Sequence, residues 1–233
     1  MKVIAFSLWG DDPRYTLGAL QNASLAKIVY PGWVCRFYVG KSTPQHIIDL
    51  LHEFGNVDIY PMEEQGDWRG MFWRFAPASD PNVDVLVVRD CDSRLWFREK
   101  GAVDEWLQSD KDFHIMRDHP YHAVPILGGM WGVRGDLLKE MDTLIDQYQK
   151  GDFWQVDQNF LKEIIYSRIQ KNVYIHDSSA MWHKGICTGD EKHYPSIRDP
   201  YHFVGQAYAG SGKVLDAEEY FQDFMRREYD AQK

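Results

Sequence analysis

Val85 to Val88 is a run of four apolar residues, three of them valine, and it stops abruptly at Arg89-Asp90-Cys91-Asp92. A short apolar run without polar alternation is the pattern of a strand covered on both faces, as in the parallel sheet of an α/β protein. Two carboxylates then stand one residue apart at the strand's C-terminal end, where open α/β sheets take their ligands. Alternate residues of extended chain point to one side, so Asp90 and Asp92 are expected to reach one cation together. Their hard oxygens suit Mn²⁺ or Mg²⁺ and leave coordination positions for phosphate oxygens. The competing account is a turn whose aspartates cap the next helix.

The rest of the chain supplies the layers such a strand needs. Further strands are expected at 2–8, 33–39, 57–60, 113–116 and 173–175. Tyr15 to Tyr30 carries Leu17, Leu20, Leu25, Ile28 and Val29 at helical spacing and ends at Pro31-Gly32. Thr43 as N-cap and Pro44 at the first position open a helix to Phe54. Other helices are expected at 68–75, 97–107, 136–148, 157–168 and 216–229. Gly128-Gly129 interrupts an apolar stretch from Val124 to Val133, which points to a bulge or a close backbone approach. Ser178 to Gly212 lacks periodicity and reads as a long loop folding over the sheet edge. Strand and helix alternate through the first half, so the expected architecture is one α/β domain over 1–233 with a mostly parallel sheet flanked by helices.

Charge and cysteine usage narrow the function classes. A net charge of −9 over 233 residues argues against sequence-independent binding to nucleic acid. Cys35, Cys91 and Cys187 have no metal-ligand spacing, and so sparse a set fits a reducing, cytoplasmic compartment, the host's for a viral chain. No stretch reads as a membrane span. Neither Gly-x-Gly-x-x-Gly nor a Walker A sequence follows the first strand, which disfavours dinucleotide and P-loop chemistry. Nine Trp are enough for sugar- or base-stacking platforms, although a large core would use them too.

Asp90-Cys91-Asp92 after a central strand resembles the DxD motif of GT-A glycosyltransferases. Three further features resemble the glycogenin-like family, which includes bacterial lipo-oligosaccharide galactosyltransferases. Arg74 stands sixteen residues before Asp90 on a predicted helix, and Asp157-Gln158-Asn159-Phe160-Leu161 is similar to that family's Asp-Gln-Asp-x-Leu segment. His202-Phe203-Val204-Gly205 resembles its His-x-x-Gly motif, with Lys213 beyond it. Leu127-Gly128-Gly129 replaces the family's Asn-Ala-Gly, and the Lys-Pro-Trp ending is absent. Together with RDHPYH and PILGGMWG, this brings the chain closer to viral and bacterial polysaccharide glycosyltransferases.

The resemblance implies a Rossmann-like GT-A sheet with a nucleotide-binding half over about 1–95, an acceptor half over about 96–215 and a C-terminal helix at 216–233. It implies Asp90, Asp92 and His202 as metal ligands, with His176 the competitor for the third place because it too ends a strand. Ser7, Trp9 and Tyr15 would hold base and ribose, while Arg74 and Lys213 would neutralise phosphate. Gly128 and Gly129 would let backbone approach the sugar. Asp157 or Asp118 would act on the acceptor hydroxyl as base or hold the donor sugar. Each has a plainer reading: Asp157 as a first-turn carboxylate favoured by the helix dipole, Asp118 as a turn residue before His119-Pro120, the basic residues as solvated ion pairs, and Trp9 as core. Arg89 is expected to be a structural ion-pair residue.

The expected activity is metal-dependent transfer of a hexose or deoxyhexose from a UDP-linked donor to a glycan hydroxyl. An available base carboxylate and the missing Asn-Ala-Gly slightly favour inversion over retention, the outcome that a deep resemblance to the family implies. Alternatives are a phosphatase of the haloacid dehalogenase type, a sugar nucleotidyltransferase and a non-catalytic glycan-binding module. The phosphatase motif wants Thr or Val where Arg94 stands, and the nucleotidyltransferase wants a basic loop where Gly10-Asp11-Asp12-Pro13 is acidic.

Overall fold

Seven strands form one sheet in the order β3-β2-β1-β4-β6-β5-β7 in a computed structural model that describes residues 1–148, 150–198 and 202–215. The strands are β1 (Lys2–Leu8), β2 (Val34–Val39), β3 (Val57–Pro61), β4 (Val85–Val88), β5 (Phe113–Arg117), β6 (Trp131–Arg134) and β7 (Val173–Asp177). β1 pairs in parallel with β2 and β4, β2 with β3, and β5 with β7; only β6 runs against its neighbours β4 and β5. After β3 the chain returns to the other side of β1 to form β4. The strand order therefore reverses between β1 and β4, the kind of crevice in which α/β sheets take ligands.

Burial follows the twofold period of the strands. Val3 and Ala5 of β1, with Leu86 and Val88 of β4, join the core on one face, and Ile4, Phe6, Val85 and Val87 join that on the other. β4 is buried along its whole length, as a strand covered on both faces must be. Each such side chain contributes about 1.5–3 kcal/mol relative to exposure.

α1 (Pro13–Val29), α2 (Gln45–His52) and α3 (Phe97–Gln108) bring side chains such as Ala19, Ile47 and Trp106 to the second core. The first is closed by Trp68–Ser79, by α4 (Met141–Gln147) and by a helical stretch from Val156 to Ile169. That stretch consists of α5 (Val156–Phe160), a π-helical turn (Leu161–Ile165) and α6 (Tyr166–Ile169).

Several expectations need correcting. α1 buries its small residues, Gly18, Ala19, Ala23 and Ala26, together with Asn22, whereas Leu17 and Ile28 face solvent. Thr43 does not cap α2: Pro44 holds that position and Thr43 Oγ1 donates to Leu8 O at 3.4 Å. Trp68–Ser79 is a succession of 3₁₀ turns, its start capped by Asp67 accepting from Arg69 and Gly70 N–H. Gly128-Gly129 precedes β6 instead of bulging within a strand, and helix α4 begins only at Met141. The described residues of 178–198 and 202–215 are largely irregular, with a 3₁₀ turn at Ala180–Trp182 and a bridge from Lys192 back to His176 beside β7. The helix expected at 216–233 lies outside the described residues. Among the described residues no helix is long and apolar enough to cross a membrane.

Candidate active site

The small face of α1 sets the Asp90–Asp92 turn. A side chain at Gly18 would fall 2.1 Å from Cys91 O, so only glycine lets the helix lie this close. Asn22 Nδ2 donates to Cys91 O and Ser93 O at 3.3 and 2.9 Å, and its Oδ1 accepts Leu95 N–H at 3.1 Å. Cys91 turns inward and donates Sγ–H to Ser7 O. The backbone is a turn and not extended strand, with Ser93 Oγ donating to Asp90 O at 2.9 Å. Asp90 is half-exposed and Asp92 mostly buried. Burial, then the Asp90 charge, raises the Asp92 carboxyl above its ordinary value against the pull of Arg14.

Two arginines hold these carboxylates. Arg14 donates Nε–H to Asp92 Oδ2 at 2.8 Å and pairs with it through Nη2 as well. Arg74, 2% exposed, pairs through Nη1 with Asp90 and donates Nη2–H to Asp157 Oδ2 at 2.9 Å. Its backbone N–H goes to Ser7 Oγ at 3.1 Å. Burial works against the Arg74 charge, but Asp90 and Asp157 outweigh it and keep the guanidinium protonated. Burial raises the Asp157 carboxyl; Arg74 opposes and Asp90 adds to that rise. Three carboxylates thus share two guanidinium groups.

The glycine pair owes its identity to this cluster. A methyl at Gly128 would sit 2.6 Å from both Arg74 Nη2 and Asp157 Oδ2, and one at Gly129 would sit 2.0 Å from Asp90 Oδ2. Close backbone approach is therefore its reason. Arg74 Nε and Gln158 Oε1, both buried in this region, have no hydrogen-bond partner among the described residues.

Trp9 packs edge-on to Trp73 at 5.8 Å, and a side chain at Gly66 would collide with its ring at 2.3 Å. Tyr15 stands at the surface with the Arg14 guanidinium 5.2 Å from its ring centroid. His202 is half-buried, edge-on to Trp96, and lines a cavity of about 220 Å³ with Arg94, Trp96, Phe203, Gln206 and Tyr208. Tyr208 N–H donates to Asp92 O at 2.8 Å, which joins this segment to the carboxylate turn. Lys213 is exposed on the turn whose ends pair as Tyr208 and Val214.

Asp118, His176 and Arg89 stand apart from that cluster. Asp118 is 0% exposed, takes Arg98 Nε and Nη2 at 2.8 Å each, and accepts Val204 N–H at 3.0 Å. Both its oxygens are engaged by Arg98, and Oδ2 also ties down the His202–Gly205 segment through Val204. His176 lies on β7, three strands from β4, about 14 Å at the usual spacing. Its ring nitrogens face His114 Nε2 at 2.9 Å and Glu105 Oε2 at 3.3 Å. Arg89 pairs with Glu99 at 3.0 Å in the core.

Among the described residues no three His, Cys, Asp or Glu side chains converge as a metal cage. The donor set nevertheless fits a hard divalent ion at Asp90 and Asp92, two mutually repelling carboxylates that are each paired with an arginine. Arg14, Arg98 and Asn22 escaped sequence reasoning. The two arginines carried a signal: each sits in the first turn of its helix, where the dipole disfavours a cation, so a nearby carboxylate is required.

No protein-family model matches the sequence, and no curated protein matches it. Solved structures do match. S. aureus TarS residues 1–349 aligns with TM-score 0.53 at 11% identity, over 77% of this chain and 59% of that one. TarS 1–349 in complex with UDP aligns at 0.50 and 14% identity over the same shares. The glycosyltransferase GlyE of Streptococcus pneumoniae TIGR4 aligns at 0.52 and 11% identity, over 97% of this chain and 64% of GlyE. The shared feature is the fold, that of the GT-A glycosyltransferases. The chain spans about 59–64% of the length of those proteins.

Proposed function

We propose that the chain is a glycosyltransferase that moves a hexose or deoxyhexose from a UDP-linked donor to a glycan hydroxyl. The carrying observation is the Asp90–Arg74–Asp157 cluster, packed against the Gly128-Gly129 backbone and beside Asp92 at the strand-order reversal. The fold shared with TarS, solved with UDP, supports the choice of donor.

Asp90 and Asp92 would hold Mn²⁺ or Mg²⁺, with His202 as third ligand. Such an ion supplies charge neutralisation on the leaving diphosphate. Arg14 and Arg74, freed from their carboxylates, would face the phosphates with bidentate donors, and Lys213 would add charge from the exposed turn. Ser7, Trp9 and Tyr15 flank the C-terminal end of β1, on the base and ribose side. Gly128 and Gly129, whose missing side chains leave room for Arg74, Asp157 and Asp90, would let backbone approach the sugar, and Gln158 Oε1, without a partner among the described residues, would accept from a hydroxyl.

Asp157 is the acceptor base in this reading: its carboxyl, raised above its ordinary value by burial, lies beside the Gly128-Gly129 backbone and Arg74. A base opposite the leaving group inverts the anomeric centre. Asp118 acts as a positioning residue through Arg98 and Val204. A thermal-shift screen of nucleotide-sugars with and without Mn²⁺ tests the reading, because a ligand of the native state raises its stability. A UDP-sugar is expected to raise Tm only with Mn²⁺. Hydrolysis of that donor without acceptor separates a transferase from a phosphatase or a glycan-binding module, which would show none.

A further inference from the structure

Trp154 is 67% exposed and Phe153 39%, unusual for large apolar side chains next to a buried carboxylate site. They stand on a tight turn in which Val156 N–H donates to Phe153 O at 3.1 Å, with Trp154 and Gln155 at its two central positions. Gln155 has φ +70°, the one positive φ among the described non-glycine residues. A glycine or asparagine is the ordinary choice at the second central position of a turn that needs positive φ. A long side chain kept there is a strained choice, and strain of this kind concentrates at functional sites.

The turn is tied to the site by short chain. Val156, the first residue of α5, is fully buried, and Asp157 follows it into the Arg74 cluster. Three residues span at most about 11 Å, so the Trp154 backbone lies within that distance of the Asp157 backbone. Gly151 to Gln155 are all exposed, and Asp152 and Gln155 flank the two aromatic rings with hydrogen-bonding groups. An indole face bordered by polar side chains matches a pyranose, which presents an apolar C–H face ringed by hydroxyls. Lys150, just before the turn, is paired with Glu163 at 2.6 Å.

We propose that Trp154 is the stacking platform for the acceptor sugar, held outward by the positive-φ turn at Gln155 and thereby selecting a glycan acceptor. The proposal rests on the glycosyltransferase reading for the word acceptor, but the stacking itself is measurable without turnover.

The test uses p-nitrophenyl glycosides of glucose, galactose, mannose, N-acetylglucosamine and rhamnose as probes. Saturation-transfer NMR on the full chain measures binding, and steady-state kinetics with the UDP-sugar measures transfer. W154A is expected to lose the saturation signal of the glycoside that wild type binds and to raise its KM about tenfold, while W154F keeps most of both. The donor KM of W154A should move less than twofold. Near-UV circular dichroism checks that each variant is folded, and Q155G, which keeps the positive-φ turn and so the outward Trp154, is a second variant expected to retain the glycoside signal. Unchanged glycoside binding in W154A, or no glycoside binding by wild type, overturns the proposal. Binding that depends on Trp154 with no transfer or donor hydrolysis supports the platform and defeats the transferase reading instead.

Discussion

Arg74 Nη2 donates to Asp157 Oδ2 at 2.9 Å across 83 residues of chain, with the side chains 2% and 4% exposed. The same guanidinium pairs with Asp90. One buried cation thus orders two carboxylates from opposite halves of the sequence. Removing it leaves Asp157 buried and unpaired, so Arg74→Ala is expected to cost about 3–5 kcal/mol in urea unfolding. Arg74→Lys keeps the charge but loses the fork, and falls between.

Gly129 separates geometry from stability. A methyl there meets Asp90 Oδ2 at 2.0 Å, and its φ is one that alanine adopts. Gly129→Ala is expected to push the carboxylate aside and lower Mn²⁺-dependent UDP affinity tenfold or more by calorimetry. Gly55→Ala, where the methyl meets nothing within 4 Å, is expected to stay within about 0.5 kcal/mol of wild type and bind UDP normally.

Two histidines, buried His114 and half-buried His122, contribute to the acid limb of stability. Burial depresses His114 well below the usual imidazole value, and the neighbouring His176 adds to it. His122 is depressed by burial first, then by His119. A depressed folded value means the unfolded chain binds the proton more readily. These groups therefore contribute stability above an unfolded value of about 6.5, and it is lost as pH falls through that value toward the folded ones. The unfolding free energy from urea titration should fall from pH 7 to pH 5, by up to about 1.4 kcal/mol per pH unit for each group. Asp92 and Asp157, whose folded values are raised, run the other way: their contribution is present below the ordinary carboxylate range and fades as pH rises through their raised values.

His202 and His176 are distinguished by position. His202 sits on the segment bonded to Asp92 O, while His176 is enclosed by His114 and Glu105. His202→Ala should weaken Mn²⁺ binding in the presence of UDP more than His176→Ala does, and His176→Ala should cost more stability. The reverse order in a metal titration would remove His202 from the ligand set.

Much of the sheet could be read from local pattern. The unbroken apolar run of β4 gave its burial on both faces, and the strand-helix alternation gave the parallel first half. What pattern could not give was set by tertiary contact. The apolar spacing of α1 marked a helix, and Leu20, Leu25 and Val29 do pack against the core, but nothing in it showed that Gly18 and Asn22 face the Cys91 backbone, which comes too close for larger side chains. Asp118 followed a strand end like a candidate for chemistry, but Arg98, on a different element, closes over both its oxygens. The glycine pair read as either a bulge or a close approach; the structure decides for the approach because Arg74, Asp90 and Asp157 meet there from three distant segments.

Calorimetric titration of UDP into wild type and Asp92→Ala, each with and without Mn²⁺, tests the central claim most directly. Binding by wild type that requires Mn²⁺, and its loss in Asp92→Ala, is the expected result. Equal affinity in both proteins, or wild-type binding indifferent to the metal, would contradict a divalent ion and a nucleotide diphosphate held at the Asp90–Asp92 turn.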